Sequence, residues 1–430
     1  MLWFCGYPLV VGLTFLLTDD GLRTAGASGF AFSLHEDLSG RLPGYVDRRI
    51  ESGVAETLSV AQITATESPL YGAFFYLQAT ERLQRQWEED GSLARESPAE
   101  VGKEAVEASV RILLDEGHAH WVRKYWGDDY LSDPNCFYRM LLIGGLTSHH
   151  NLTGSREHLG LLEELSEGLA GAIDDSEVGL VDDYQGQCFP CDVACAIVAV
   201  KRAGEVLGKD RGRWSRAALA RMADLFPGAL PPYMARAEDG MATVASRGCT
   251  NGFFLSYTRE LDPVASDRWY GMFVEDFWQE AIGCGGWREF SATSGAPEWY
   301  FDADAGPVMF GFGTGATGLG LGCARAHGDD YRAGTLGAEM MVCSIPLPTG
   351  TLLVPRLVSD LEHAPYFGEL AVLHQLSIVS ADGGKEPAKA PIPLMVWGVL
   401  CFEALVSWVV VWLCLRLWFP KGWRLWRWRR

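Results

Sequence analysis

Asp183-Tyr184-Gln185-Gly186-Gln187-Cys188-Phe189-Pro190-Cys191-Asp192 is the stretch around which the rest of the chain reads. It follows the turn-like Asp174-Asp175-Ser176-Glu177 and leads into an apolar helical run from Val193 to Leu207. Carboxylate, phenol and thiol groups crowd together here. Pro190 forbids a helix straight through, because the residue before a proline is pushed out of the α region. The polar cluster therefore sits on a loop at a helix N-terminus, where the dipole favours a carboxylate or thiolate. The plainer reading is a buried loop whose cysteines merely pack, and Asp192 as a helix cap rather than a catalyst.

Working outward, 430 residues with 48% hydrophobic content suffice for one large domain or two ordinary ones. Sixteen tryptophans and twenty phenylalanines suit aromatic-walled cavities as well as packing. The net charge is −19; six basic residues and one acid fall after residue 390, so residues 1–390 carry −19 − 5 = −24. Such a body excludes nucleic acid as a partner, since phosphate contacts need Lys and Arg. Eleven irregularly spaced cysteines do not make a disulfide framework, although Cys188 and Cys191 are close enough to pair.

Both ends are apolar. Residues 1–18 read as a membrane span or a signal remnant, without the basic start of a signal peptide. Ile392 to Trp418 is long enough to cross a bilayer and is interrupted only by Glu403 before Arg416. The tail from Lys421 to Arg430 is basic and tryptophan-rich, which places it in the cytoplasm and the acidic body outside.

Between these ends the periodicity is helical. Residues 19–60 read as a connector and 61–378 as one helical domain; 379–391 form a linker, 392–418 the transmembrane helix and 419–430 a cytoplasmic tail. Helices are expected over Ala61–Trp87, from the Ser97-Pro98-Ala99-Glu100 capping box to Trp121, and over Cys136–His150, Leu159–Ile173 and Trp214–Leu225. The run after Asp262-Pro263 is expected to stay helical to Ile282, with a long loop over 283–307 and helices at 305–326 and 330–343. Six glycines between 311 and 322 match a dinucleotide fingerprint in letters but lack its strand context; a closely packed helix explains them better. Helical hairpins joined by short loops predict an all-α fold, an (α/α)6 toroid, with a helical solenoid as the competing architecture.

The segment Gly186-Gln187-Cys188-Phe189-Pro190-Cys191-Asp192 resembles the Gly, Cys, Pro, Asp loop of the linalool dehydratase/isomerase family. The helix ending in Leu152-Thr153-Gly154 is similar to the one preceding that loop in the family. The resemblance spans about residues 100–340, and the central loop is its specific part. It implies an (α/α)6 toroid, a hydrophobic aromatic-walled pocket, and acid–base chemistry without metal or organic cofactor. Cys188 matches the first family cysteine. The second would fall near Ile197 or Val198 and the family histidine near Leu142, where this chain has neither.

From the residues themselves, Asp192, Asp183, Tyr184, Cys188 and His149 are the catalytic candidates. A carboxyl in an aromatic pocket has a raised pKa and donates protons at neutral pH. Cys191, Arg247, Asn251, Arg288, Glu289 and Asp304 are candidates for holding substrate. Three cysteines at 188, 191 and 195 fall short of a structural zinc set, so no metal is expected. The resulting expectation is a membrane-anchored, extracytoplasmic lyase or isomerase acting on a small hydrophobic alcohol. An envelope glycan hydrolase or glycan-binding toroid, with two separated carboxylates, is the second reading. A non-catalytic assembly module is the third.

Overall fold

The computed structural model describes residues 2–302, 305–380 and 388–418. An apolar helix α1 (Leu2–Thr18) is followed by α2 (Gly29–Ser39) and α3 (Leu42–Glu51). Residues 19–60 are thus largely helical, and they bury Leu22, Phe30, Leu34 and Leu38 in the main core. Next come α4 (Ile63–Thr66), α5 (Ser68–Glu89), α6 (Pro98–Val101), α7 (Lys103–Leu113) and α8 (His120–Trp126). The helix expected from Ser97 to Trp121 is therefore three pieces, broken at Gly102 and at the Asp115-Glu116-Gly117 turn. The capping box does form its Ser97 cap.

The long helices α9 (Cys136–Thr153), α10 (Leu159–Asp175), α11 (Pro190–Val206) and α12 (Gly212–Leu225) follow. After them come a small hairpin, β1 (Met234–Ala235) with β2 (Ala242–Val244), and helices α13 (Gly248–Thr258) and α14 (Pro263–Phe277). Asp262 caps α14 from its side chain, as its position predicts. The helix ends at Phe277, five residues short of Ile282. Its place is taken by the hairpin β3 (Trp278–Ala281) and β4 (Cys284–Trp287). Ile282 and Gly283, at φ 57° and 75°, make its two-residue turn. The Gly285-Gly286 pair has little helix propensity, and Trp287 packs face to face on Phe273, so tertiary packing decides the outcome.

The expected loop over 283–307 and the first turns of the next helix contain β5 (Tyr300–Asp302), β6 (Gly306–Met309) and β7 (Phe312–Gly313). Then come α15 (Thr314–Ala326), α16 (Asp330–Cys343), α17 (Leu353–Leu357), α18 (Phe367–Ser377) and the apolar α19 (Leu394–Trp418). The glycine-rich segment does become a closely packed helix: a Cβ on Gly320 would fall 2.2 Å from Trp287, and one on Gly252 only 2.8 Å from the Gly320 nitrogen.

The packing order is cyclic. Helix α5 packs on α9, α9 on α11, α11 on α13, α13 on α15, α15 on α18, and α18 on α5. Cross-contacts show that these six run in parallel. Ser148 bonds Glu81, Arg202 pairs with Glu260, Gly252 abuts Gly320, and Gln86 bonds Ser377. All six N-termini therefore share one end of the body. The intervening helices α7, α10, α12, α14 and α16 pack against them. Helix α1 leaves the body beside α19, against which it packs.

Candidate functional site

The N-terminal end of the six helices holds most of the sequence-predicted groups, at the starts of α11 and α13 and in the segment before α15. Tyr184 and Gln187 close a tight turn on each other, with Gly186 at φ 75° and its amide held by Asp182. The Cys136 amide bonds the Asp182 carbonyl, and the Ala235 amide bonds the Cys188 carbonyl. The loop is thus pinned between α9 and β1.

Phe189 is the cap position of α11 and Pro190 its first residue; the cap carries no side-chain bond of its own. Asp183 fills that role from six residues upstream, accepting the Phe189 amide at 2.8 Å. Asp192 lies in the first turn of α11 and is half-buried. Its neighbour Cys191 places its Sγ 3.6 Å from the Asp192 carboxyl.

Asp183 is buried, and its second oxygen lacks a hydrogen-bond partner. Burial pushes its carboxyl well above the usual range, and the nearby Asp192 charge pushes it further. Burial likewise raises the Cys188, Cys191 and Cys195 thiols, with Asp192 or Asp183 adding to each. The expectation of a thiolate at this helix start is corrected here: the dipole contributes about 0.3–1 kcal/mol, less than burial beside carboxylates costs. Cys188 and Cys191 are free thiols, not a disulfide. Cys188 is fully buried. Tyr184 donates to Glu67 at 2.6 Å, at the start of α5.

Across the end from this loop, four helices place aromatics around Tyr71. Its ring centroid is 5.5 Å from Phe137 of α9, 5.6 Å from Phe253 of α13 and 5.9 Å from Phe367 of α18. Phe75 adds a fourth neighbour at 4.3 Å. Burial raises the Tyr71 phenol well above its ordinary value, with Tyr257 and Asp192 contributing in that order. The Asp192 charge is thus felt among these aromatic rings. No feature of the sequence marked Tyr71, because its partners come from helices up to about three hundred residues away and only the closed packing order unites them.

A second polar cluster lies at the start of α13. Arg247 donates through Nε to Glu289 at 2.7 Å, and Cys249 donates to the same oxygen at 3.0 Å. Arg247 Nη2 stands 3.2 Å from Asp302, and its guanidinium lies over the Tyr233 ring at 4.7 Å. Burial raises the Glu289 carboxyl against the opposing pull of Arg247. Asn251 is buried one turn on and bonds Ser246 and the Arg247 carbonyl. Cys249 belongs to this cluster although the sequence reading passed over it.

Two predicted residues fall elsewhere. Arg288 bonds Gln279 at 2.6 Å, pointing opposite to Glu289, as successive residues of extended chain must. His149 bonds Glu107 at 3.1 Å, thirteen residues along α9 from Cys136 and so about 20 Å from the loop. Its helix-end position, not the site, explains it. Asp304 lies outside the described residues. Among the described residues no three Cys, His, Asp or Glu side chains form a metal-ligating group. The chain matches no protein-family model and no curated protein sequence.

Proposed function

We propose that the cyclic, parallel packing order is that of an (α/α)6 toroid, anchored in a membrane by α19 with its body outside the cytoplasm. Its site is an acid–base centre acting on a small hydrophobic alcohol, as a hydro-lyase or isomerase. The observation that carries this reading is the loop that holds Asp183 against the start of α11, with Asp192 in the first turn beyond it and its charge felt at both Asp183 and Tyr71, which four aromatic rings surround. Burial and the neighbouring Asp192 charge favour the protonated form of Asp183, so the pair carries a proton to share. Asp192, the less buried, is the one that reaches substrate; Asp183 is a positioning residue that raises its basicity. The shared proton goes to the substrate hydroxyl, the C–O bond breaks, and water leaves with the bonding pair. The carboxylate then takes a proton from the neighbouring carbon, leaving an alkene; return of water at another carbon gives the isomeric alcohol. Aromatic faces stabilise the cationic carbon in between.

The test is turnover by the full chain in membranes, with tertiary and allylic alcohols as substrates. Wild type should yield alkene and water. Asp192→Asn should lose at least about 100-fold in rate, the usual worth of a general acid–base group. Its unfolding free energy should stay within about 1 kcal/mol of wild type, the usual scale of a cap change. Release of reducing sugar from envelope glycan, with no alkene, would favour the glycan reading. Full activity in Asp192→Asn would reduce the loop to scaffolding.

A further inference from the structure

The anchor and the site lie at the same end of the body. Gly334 of α16 abuts Arg23 and Ala390, and Gly337 abuts Leu22. Further along the helix, Val342 meets Gly12, which also meets Leu400. Cys343, its last residue, stands 3.8 Å from Met395. Following α16 from start to finish thus leads from the roots of α1 and α19 into their protruding parts. Helices α15 and α16 are consecutive, antiparallel and joined at 327–329, so α16 ends where α15 begins. There Gly313 abuts Glu289 of the second polar cluster. Leu400 is the last buried residue of α19 among those described, and the helix continues outward with its side chains exposed.

The loops at that end carry large apolar side chains in the open. Trp299, Phe301 and Phe310 project from the β5–β7 segment before α15, with Phe301 at 75% exposure. Trp299 and Phe310 pack edge to face on each other at 4.5 Å, so they form one patch. Leu357, Val358 and Leu361 are exposed around the end of α17, before α18. These two loops belong to neighbouring helices, and α16, which carries the anchor, packs on α15. Exposed apolar patches of this kind mark a partner surface, and aromatic side chains favour the membrane–water boundary.

We infer that this face of the body rests on the bilayer that holds α19, with Trp299, Phe301 and Phe310 on one side and Leu357, Val358 and Leu361 on the other dipping into the headgroup region. The occupant is the lipid surface, because the same helices that leave the body here carry it there. Helix α1, paired with α19, enters the same bilayer. The inference rests on reading α19 as a membrane span, and it makes the end bearing Asp192 face the membrane.

Fluorescence quenching in vesicles separates the two claims. The full chain is reconstituted into phosphatidylcholine–phosphatidylglycerol vesicles, with an environment-sensitive fluorescent amino acid replacing Phe301, Leu361, Val264 or Val409. Val264 is an exposed position at the opposite end, two residues from Ser266, which bonds His327 beyond α15. Lipids spin-labelled near the headgroup should quench at 301 and 361 several-fold more than at 264. Lipids labelled deep in the acyl chain should quench at 409. Quenching at 409, with 301 and 361 no different from 264, would overturn the surface contact and leave the anchor standing. Absence of quenching at 409 would overturn the anchor and the contact together.

Discussion

The two ends of the six parallel helices treat charge in opposite ways. At the C-terminal end carboxylates are matched by cations. Arg202 grips Glu260, and Arg85 pairs with Glu81, which also accepts from Ser148 and Asn151. Both carboxyls are held below their usual range by those arginines, although burial pulls the other way. At the N-terminal end the buried carboxyls are raised. Asp183 has an amide and a second carboxylate for company, and Glu289 must share Arg247 with Asp302. Helix dipoles alone would give the reverse, ionised acids at the N-termini and nothing special at the far end. Burial and like-charge repulsion outweigh them. One end stores protons; the other stores stability.

The largest effect should come from the far end. Arg325, fully buried at the end of α15, donates to the carbonyls of Gly21, Thr24, Gly26 and Ile378. Replacing it in Arg325→Met leaves four acceptors without their donor, at about 1–3 kcal/mol for each that water cannot reach. A loss of about 4 kcal/mol or more in chemical denaturation is expected. A loss under about 1 kcal/mol would mean that the network is ornamental.

The two ends should also titrate in opposite directions. Asp183 has a folded pKa above its unfolded value near 3.9, so the folded state binds more protons in between. Stability therefore falls as pH rises from about 4, by up to about 1.4 kcal/mol per unit, until the folded pKa is passed. Asp183→Asn keeps the Phe189 bond and should flatten this slope. A slope unchanged by the substitution would show that other groups set it.

His374 at the far end runs the other way. Arg82 and the Tyr257 hydroxyl both approach its Nε2 at 2.8 Å, and burial holds its pKa well below the ordinary 6.5. The unfolded state takes the extra proton, so stability is full above about pH 6.5 and falls below it. His35, pushed down to about 3 by burial, adds to the same limb. His374→Gln should remove part of the acid limb, measured as thermal midpoint against pH, and leave the region above pH 7 unchanged.

What was legible in the sequence divides along the same line. Helices with long apolar periods, such as those starting at Ser68, Cys136 and Pro190, were readable because their burial follows a single repeat. Asp183 and Asp192 stood out as candidates because Pro190 fixes where the loop ends and the helix begins, with one acid on each side. The tryptophan hairpin at 278–287 was not, since its two glycines and a stacked Trp287 matter only once α14 is in place. Nor was the Tyr71 environment, which needs four helices to converge. His149 shows the converse error: a polar residue beside a helix end carries the same letter pattern whichever end of the body that helix end occupies.

The smallest effect tests whether neutral donors really replace cations at the site. Tyr184 donates to Glu67 at 2.6 Å, and both residues are half-buried rather than sealed. In Tyr184→Phe the ring keeps its edge-to-face contact with Phe189 at 6.3 Å and with Tyr125 at 5.2 Å, so packing is conserved. Only the hydroxyl goes, and water can reach the carboxyl in its place. The cost should then be about 1 kcal/mol, the net worth of one hydrogen bond, well short of the Arg325 loss. Turnover should fall only modestly, because the Tyr184 hydroxyl is already engaged by Glu67 at the start of α5. A cost of about 3 kcal/mol or more would mean that Glu67 is as dependent on its donor as the far-end carboxylates are on their arginines, and the contrast between the two ends would dissolve.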